Sequence, residues 1–223
     1  MAKWQQVKVL AFNHRFGSYA GAFFFTFWIG QRIYSYHEHL LRFSVYALIW
    51  WLITLQFILF ITAYLTRTAA HDHAKGFFET TFPFLCAAMP FALIVKHPLL
   101  PATYRIAVLD PLSIVLVIGG TLIIIAGIIF LRKSFSIMTE ARQPVYRGIY
   151  RITRHPMYVG SMLTTLGMLF QNFNGLNILL FLFFCGCQVY RAHREENKIM
   201  QSYLTYQTYA ASVGWLWKFG RRK

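Results

Sequence analysis

The sequence predicts an all-α protein, a polytopic bundle of transmembrane helices, and three observations carry that expectation. Of 223 residues, 57% are hydrophobic and only 13% charged, which is more apolar surface than a soluble chain of this length can bury. Several stretches approach the roughly 20 residues an α-helix needs to cross a bilayer. The basic residues, finally, gather at the margins of those stretches and outside them.

Four spans and a hairpin follow in order. Residues 16–30 form a short first span, with Arg32, Tyr34 and Tyr36 as interfacial anchors. Residues 43–65 contain no charge, and residues 77–95 carry only Glu79, near one end. Residues 111–131 are again uncharged and rich in Ile, Leu, Val and Gly. A last apolar region, 157–190, is broken by Gln171-Asn172-Phe173-Asn174-Gly175, whose polar residues and glycine predict the turn of a helical hairpin. A C-terminal helix outside the membrane completes the chain. Lys3, Lys8 and Arg15 lie in a mixed segment with no small-residue cleavage site, so the N-terminus does not read as a cleaved signal. The expected organisation is N-terminal transmembrane helices over 1–131 and a chemically dense module over 132–223, within one integrated membrane domain.

The net charge of +15 raises the question of nucleic acid, but its placement fits a membrane topology. With the N-terminus inside, all of the 22 basic residues except Arg32, Arg42, Lys96 and Arg105 fall on the inner side. The positive-inside rule then puts both termini and the 132–155 loop in the cytosol. Such a face suits anionic membrane lipids, and no nucleic-acid partner is expected.

Chemistry-bearing residue types are scarce before residue 131 and dense after it. In Arg154-His155-Pro156-Met157-Tyr158, proline suits the first turn of a helix and biases the residue before it away from helical dihedrals. His155 is thus expected at a helix entrance, where free N–H groups and the dipole favour an anion. A plain interfacial anchor with Tyr158 in the aromatic belt is the alternative. Glu195 and Glu196 are adjacent in a chain with only seven acidic residues. Arg191 and Glu195 are spaced for an ordinary exposed helical pair, whereas Glu196 has no basic residue four away. An adjacent carboxylate pair also suits a cationic or polyhydroxyl ligand.

Together, Tyr150 through Gly160, the hairpin, Glu195-Glu196 and Tyr206-Gln207-Thr208-Tyr209 resemble the C-terminal module of isoprenylcysteine carboxyl methyltransferases and related membrane methyltransferases, including phospholipid methyltransferases. The resemblance covers roughly residues 130–219. It implies S-adenosyl-L-methionine as methyl donor, with Tyr150, His155, Pro156, Tyr158, Glu195 and Glu196 in the cofactor pocket and Arg154 as the catalytic residue near the reacting group. It also implies a lipophilic small-molecule or lipid-linked acceptor, of which an isoprenylcysteine carboxylate is one. Where eukaryotic isoprenylcysteine enzymes carry a basic residue and a proline, this chain has Ala210-Ala211-Ser212-Val213-Gly214. An RHPxY-like segment also occurs in NADPH-dependent sterol reductases, and a non-catalytic lipid-binding protein is a third reading.

The remaining polar features read as structural. Cys86, Cys185 and Cys187 lie in apolar segments as packing residues. His71-Asp72-His73 is a solvated loop lacking the further ligand a metal site needs. Glu79 faces the bundle or reaches the interface. Gly119-Gly120 and Gly160 allow close helix packing, and Trp50, Trp51, Trp215 and Trp217 form interfacial belts.

Overall fold

A computed structural model describes residues 18–34, 44–93 and 107–215. Lys3, Lys8, Arg15, Arg42, Lys96, Arg105, Trp217 and the basic residues after it lie outside the described residues. α1 is helical over 18–34. α2 (Val45–Thr66) begins where the Ser44 hydroxyl accepts from the Ala47 N–H, and α5 (Asp110–Leu131) opens on Pro111. α6 (Pro156–Gln171) and α7 (Gly175–Ser202) form the hairpin, and α8 (Thr205–Ser212) follows. No strand occurs among the described residues, only an isolated bridge between Asp72 and Ala141.

Among the described residues, three helices are long and apolar enough to cross a bilayer: Val45–Thr66, Asp110–Ser134 and Gly175–Ser202. The chain is thus an all-α integral membrane protein. The span expected over 77–95 is instead divided into α3 (Gly76–Thr80) and α4 (Phe82–Ala92). Pro83 has no N–H to continue the preceding ladder, so a second helix starts there with proline in its first turn. Glu79 therefore belongs to the short α3, beside the polar end of the bundle.

The hairpin turn falls where the polar run predicts it. Asn174 caps α7 by accepting from the Asn177 N–H at 2.7 Å, and the Asn177 amide donates to Asn172 O and to Leu93 O. α7 then runs 28 residues without a break, so the apolar span and Glu195-Glu196 share one rigid element.

Two kinds of packing build the bundle. Between α1 and α2 it is aromatic: Phe25 stacks on Phe60 at 4.6 Å, Phe60 stacks on Phe135 at 5.0 Å, and Tyr64 is fully buried. Between α5 and α6 it is backbone on backbone. A Cβ on Gly160 would lie 2.6 Å from Gly120 O, and one on Gly167 2.7 Å from Ser113 O. Ser113, Gly120 and Gly127 recur every seven residues along α5, and Gly160 and Gly167 match them on α6. Small residues let two helices approach closely where lipid gives no hydrophobic drive for association. Gly119 has open space around it and takes no part in this seam.

Candidate functional site

The loop between α5 and α6 crosses the polar end of the bundle and is held from several directions. Arg142 binds Glu140 through two nitrogens, at 3.0 and 2.7 Å, and also donates to Thr68 O. Arg67 reaches the same carboxylate at 3.5 Å. Burial alone would raise the Glu140 carboxyl, but Arg142 and Arg67 bring it below the ordinary carboxylate value. Ile137 is gripped at both ends of its peptide: its N–H donates to the Tyr64 phenol at 2.8 Å, and its carbonyl accepts from Arg191 at 3.0 Å.

A second charged cluster ties α3 and the loop to α7. Lys198 Nζ lies 2.6 Å from Glu79 Oε2 and 3.4 Å from Asp72, and donates to His73 O and Thr139 O. Arg194 adds a contact to Glu79 at 3.2 Å. Asp72, from the His71-Asp72-His73 loop, thus pairs with Lys198 and Lys75. Glu79 faces the bundle, with Lys198 as the partner that makes this tolerable.

The residues singled out in the sequence meet here. Gly148 (φ +60°), against the Phe130 ring, turns the chain into a short helical turn, Gly148–Arg151, that buries Tyr150. His155 stands at the N-cap of α6 with Pro156 in its first turn, as expected for a helix entrance. Tyr158, one turn in, donates to Glu195 Oε2 at 2.8 Å. Arg154 NH1 lies 3.0 Å from Glu196 Oε1 and donates to Ala210 O at 3.3 Å. His155 Nε2 is 3.4 Å from the same Glu196 oxygen without hydrogen-bond alignment, and Tyr206 donates to it at 3.4 Å. Glu196, without a partner on its own helix, finds three from other elements.

Arg191 makes no simple exposed pair with Glu195. It is buried, donates to Gln188 Oε1 at 2.8 Å, and sets its guanidinium 5.3 Å from the Tyr158 ring centre. Spacing on α7 could not reveal this, because both the Ile137 carbonyl and the Tyr158 ring come from distant sequence. Trp215 is likewise no free interfacial anchor: its ring packs on His155 at 5.6 Å and its carbonyl accepts from Thr153. Tyr209 donates to Tyr150 O at 2.5 Å, so the paired tyrosines of α8 close over the site. Burial raises the Tyr150 phenol well above its ordinary value, with Glu195 adding to it, and burial likewise raises Tyr206 and Tyr209. All three therefore stand as neutral donors near pH 7.

One cavity of ≈ 230 Å³ joins these residues to the aromatic interior. Tyr150, Arg154, His155, Tyr158 and Glu195 line its polar end. Phe25, Phe57, Phe60 and Phe91 line the other, between α1, α2 and α4.

Residues 111–206 match the family model described as phospholipid methyltransferase. No curated protein and no solved structure matches the chain. The matched stretch runs from the head of α5 into α8 and contains Tyr150, Arg154, His155, Tyr158, Glu195, Glu196 and Tyr206. Over these residues the chain is similar to the phospholipid methyltransferase family of membrane methyltransferases.

Proposed function

We propose that this protein transfers a methyl group from S-adenosyl-L-methionine to a lipid-soluble acceptor. The observation that carries the reading is the single cavity that is polar and charged at the α6 entrance and aromatic between α1, α2 and α4. A water-soluble donor and a lipid-soluble acceptor need such a space to meet.

The residues present fit the donor. Glu195, partly exposed and lining the cavity, offers carboxylate oxygen to an ammonium or a ribose diol, while Tyr158 fixes its orientation. Arg154 Nε and His155 Nε2 are buried polar atoms with no hydrogen-bond partner among the described residues. The Tyr150 and Tyr158 rings offer negative faces to a cation. When bound, S-adenosyl-L-methionine supplies a methyl group already activated on a positively charged sulfur. The protein's own work is then alignment and exclusion of water. Glu195, Glu196, Tyr150, Tyr158, His155 and the Pro156 helix entrance hold the donor. Arg154, braced by Glu196 and the Ala210 carbonyl, acts at the reacting end. The site faces the cytosol in this reading, by the distribution of basic residues.

The test is to add purified protein and methyl-labelled S-adenosyl-L-methionine to membranes and search the extract for lipids that gain label. A labelled lipid that disappears with the Glu195→Gln, Glu196→Gln double variant supports the reading. An unlabelled extract, with no affinity of the protein for the donor, overturns it.

A further inference from the structure

Gln56 sits near the middle of α2, on the order of 15 Å from either end of the helix at 1.5 Å per residue. It is 9% exposed, and it lines the cavity among Ile53, Phe57 and Phe60 of its own helix and Phe91 of α4. Of the other polar side chains of α2, Trp50 Nε1, toward its outer end, is also buried without a hydrogen-bond partner among the described residues, whereas those nearer Gln56 and beyond it are satisfied. The hydroxyls of Thr54, Thr62 and Thr66 each donate to a carbonyl one turn earlier, and the Tyr64 phenol accepts from the Ile137 N–H. The Gln56 amide makes no hydrogen bond with any described residue. The amide opens on the cavity, among phenylalanine and isoleucine side chains, and a polar group so placed is unfavourable until something in the cavity pairs with it. Arg32 also lines the cavity, donates to Trp50 O at 3.2 Å and lies 5.4 Å from its ring centre.

We infer that Gln56 is a second polar subsite for the acceptor: a hydrogen-bonding point inside the aromatic chamber that reads an oxygen function partway along the acceptor's chain. This rests on the reading of the cavity as an acceptor site and adds to it a class of acceptor. The ligand is a single-chain amphiphile whose head lies at the α6 entrance and whose chain carries a hydroxyl, carbonyl, ester or amide. A carboxamide donates and accepts, so it pairs with any of these. A plain hydrocarbon chain leaves Gln56 unpaired and binds more weakly. The span from the polar end of α2 to Gln56, again on the order of 15 Å, sets the distance from head to oxygen.

The experiment compares stearate with 12-hydroxystearate, whose hydroxyl lies at a comparable distance from its head, by competition binding to the purified full-length protein in detergent. Wild type is expected to bind the hydroxylated acid about five- to tenfold more tightly. Gln56→Leu should lose that preference and hold stearate at least as well as wild type. 2-Hydroxystearate, with its hydroxyl beside the head, should gain nothing from Gln56. Equal binding of stearate and 12-hydroxystearate by wild type, including none of either, overturns the assignment. So does a preference that survives in Gln56→Leu, or one for 2-hydroxystearate that depends on Gln56. The wild-type comparison stands even if the variant misfolds. Because no methyl donor is present, the two readings fail separately. A preference with no label transfer and no affinity for the donor sinks the methyltransferase reading, and label transfer with no preference sinks the Gln56 subsite alone.

Discussion

Arg154 and Glu196 face each other at 3.0 Å with both side chains mostly out of solvent. Removing one partner of such a pair strands the other's charge, so Arg154→Ala is expected to destabilise the protein by about 3–5 kcal/mol, read as thermal unfolding in detergent. Arg154→Lys separates charge from shape. Arg154 makes both contacts through NH1 and leaves Nε without a partner among the described residues, and lysine keeps the cation but not that second donor, so donor affinity should largely survive while single-turnover methyl transfer at saturating donor falls at least tenfold. A near wild-type rate would make Arg154 a simple anchor. Glu195 differs because it is partly open to the cavity and bound through Tyr158. A charge-assisted bond to a ligand is worth about 1.5–3 kcal/mol, so Glu195→Gln should weaken calorimetric binding of S-adenosyl-L-methionine about tenfold or more. Unchanged affinity would remove Glu195 from the donor site. At this scale the place of the candidate site was legible because rare residue types cluster after residue 131, but the pairings were not. Glu196 takes its partners from residues 154, 155 and 206, and Arg191 from a carbonyl 54 positions away.

Elements divide by how much of their reason is local. The α6–α7 turn is visible in sequence because Asn174 and Gly175 act on their immediate neighbours. The break between α3 and α4 comes from Pro83, a local signal outweighed in a reading by apolar length alone. The α5–α6 seam is the opposite case: of the adjacent Gly119 and Gly120, only tertiary contact decides which is buried. Gly160→Ala should therefore be destabilising by about 1–3 kcal/mol through overpacking, whereas Gly119→Ala should be neutral or slightly stabilising. Thermal unfolding of the two variants side by side checks this. The α5–α6 loop should also be acid-sensitive. Glu140 is held below its ordinary value, so the stability it contributes is full above about pH 4.3 and is lost as pH falls through its depressed folded value. Glu140→Gln should lower stability at neutral pH and flatten the acid limb of the unfolding profile. An acid limb parallel to wild type would mean that Glu140 does not carry it.

For the molecule as a whole, composition was enough to specify an all-α membrane bundle, because the excess of apolar residues has no other place to go. It could not supply the join between the two halves of the cavity. That join depends on Phe135 and Ile137 reaching back to Phe60 and Tyr64, contacts that leave no periodicity in sequence. Orientation remains a matter of charge placement and has a direct test. Cysteines placed at Lys3, Gln143 and Lys223 should resist impermeant thiol reagents applied to intact cells. Labelling at position 143 from outside would reverse the topology and move the donor site with it.

The glycine seam also bears on how this chain can drift under mutation. Where an added methyl group would strike a side chain, as at Gly21 against the Tyr64 ring, a second change to a smaller neighbour can relieve the clash. At Gly160 the obstacle is the carbonyl of Gly120, and at Gly167 the carbonyl of Ser113. Backbone cannot be trimmed by any compensating substitution. Lineages descending from this sequence are thus free to exchange the aromatic lining of α1 and α2 in concert, and with it the shape of the cavity. The two-helix frame that sets His155, Pro156 and Tyr158 opposite α5 has almost no neutral neighbours to move to.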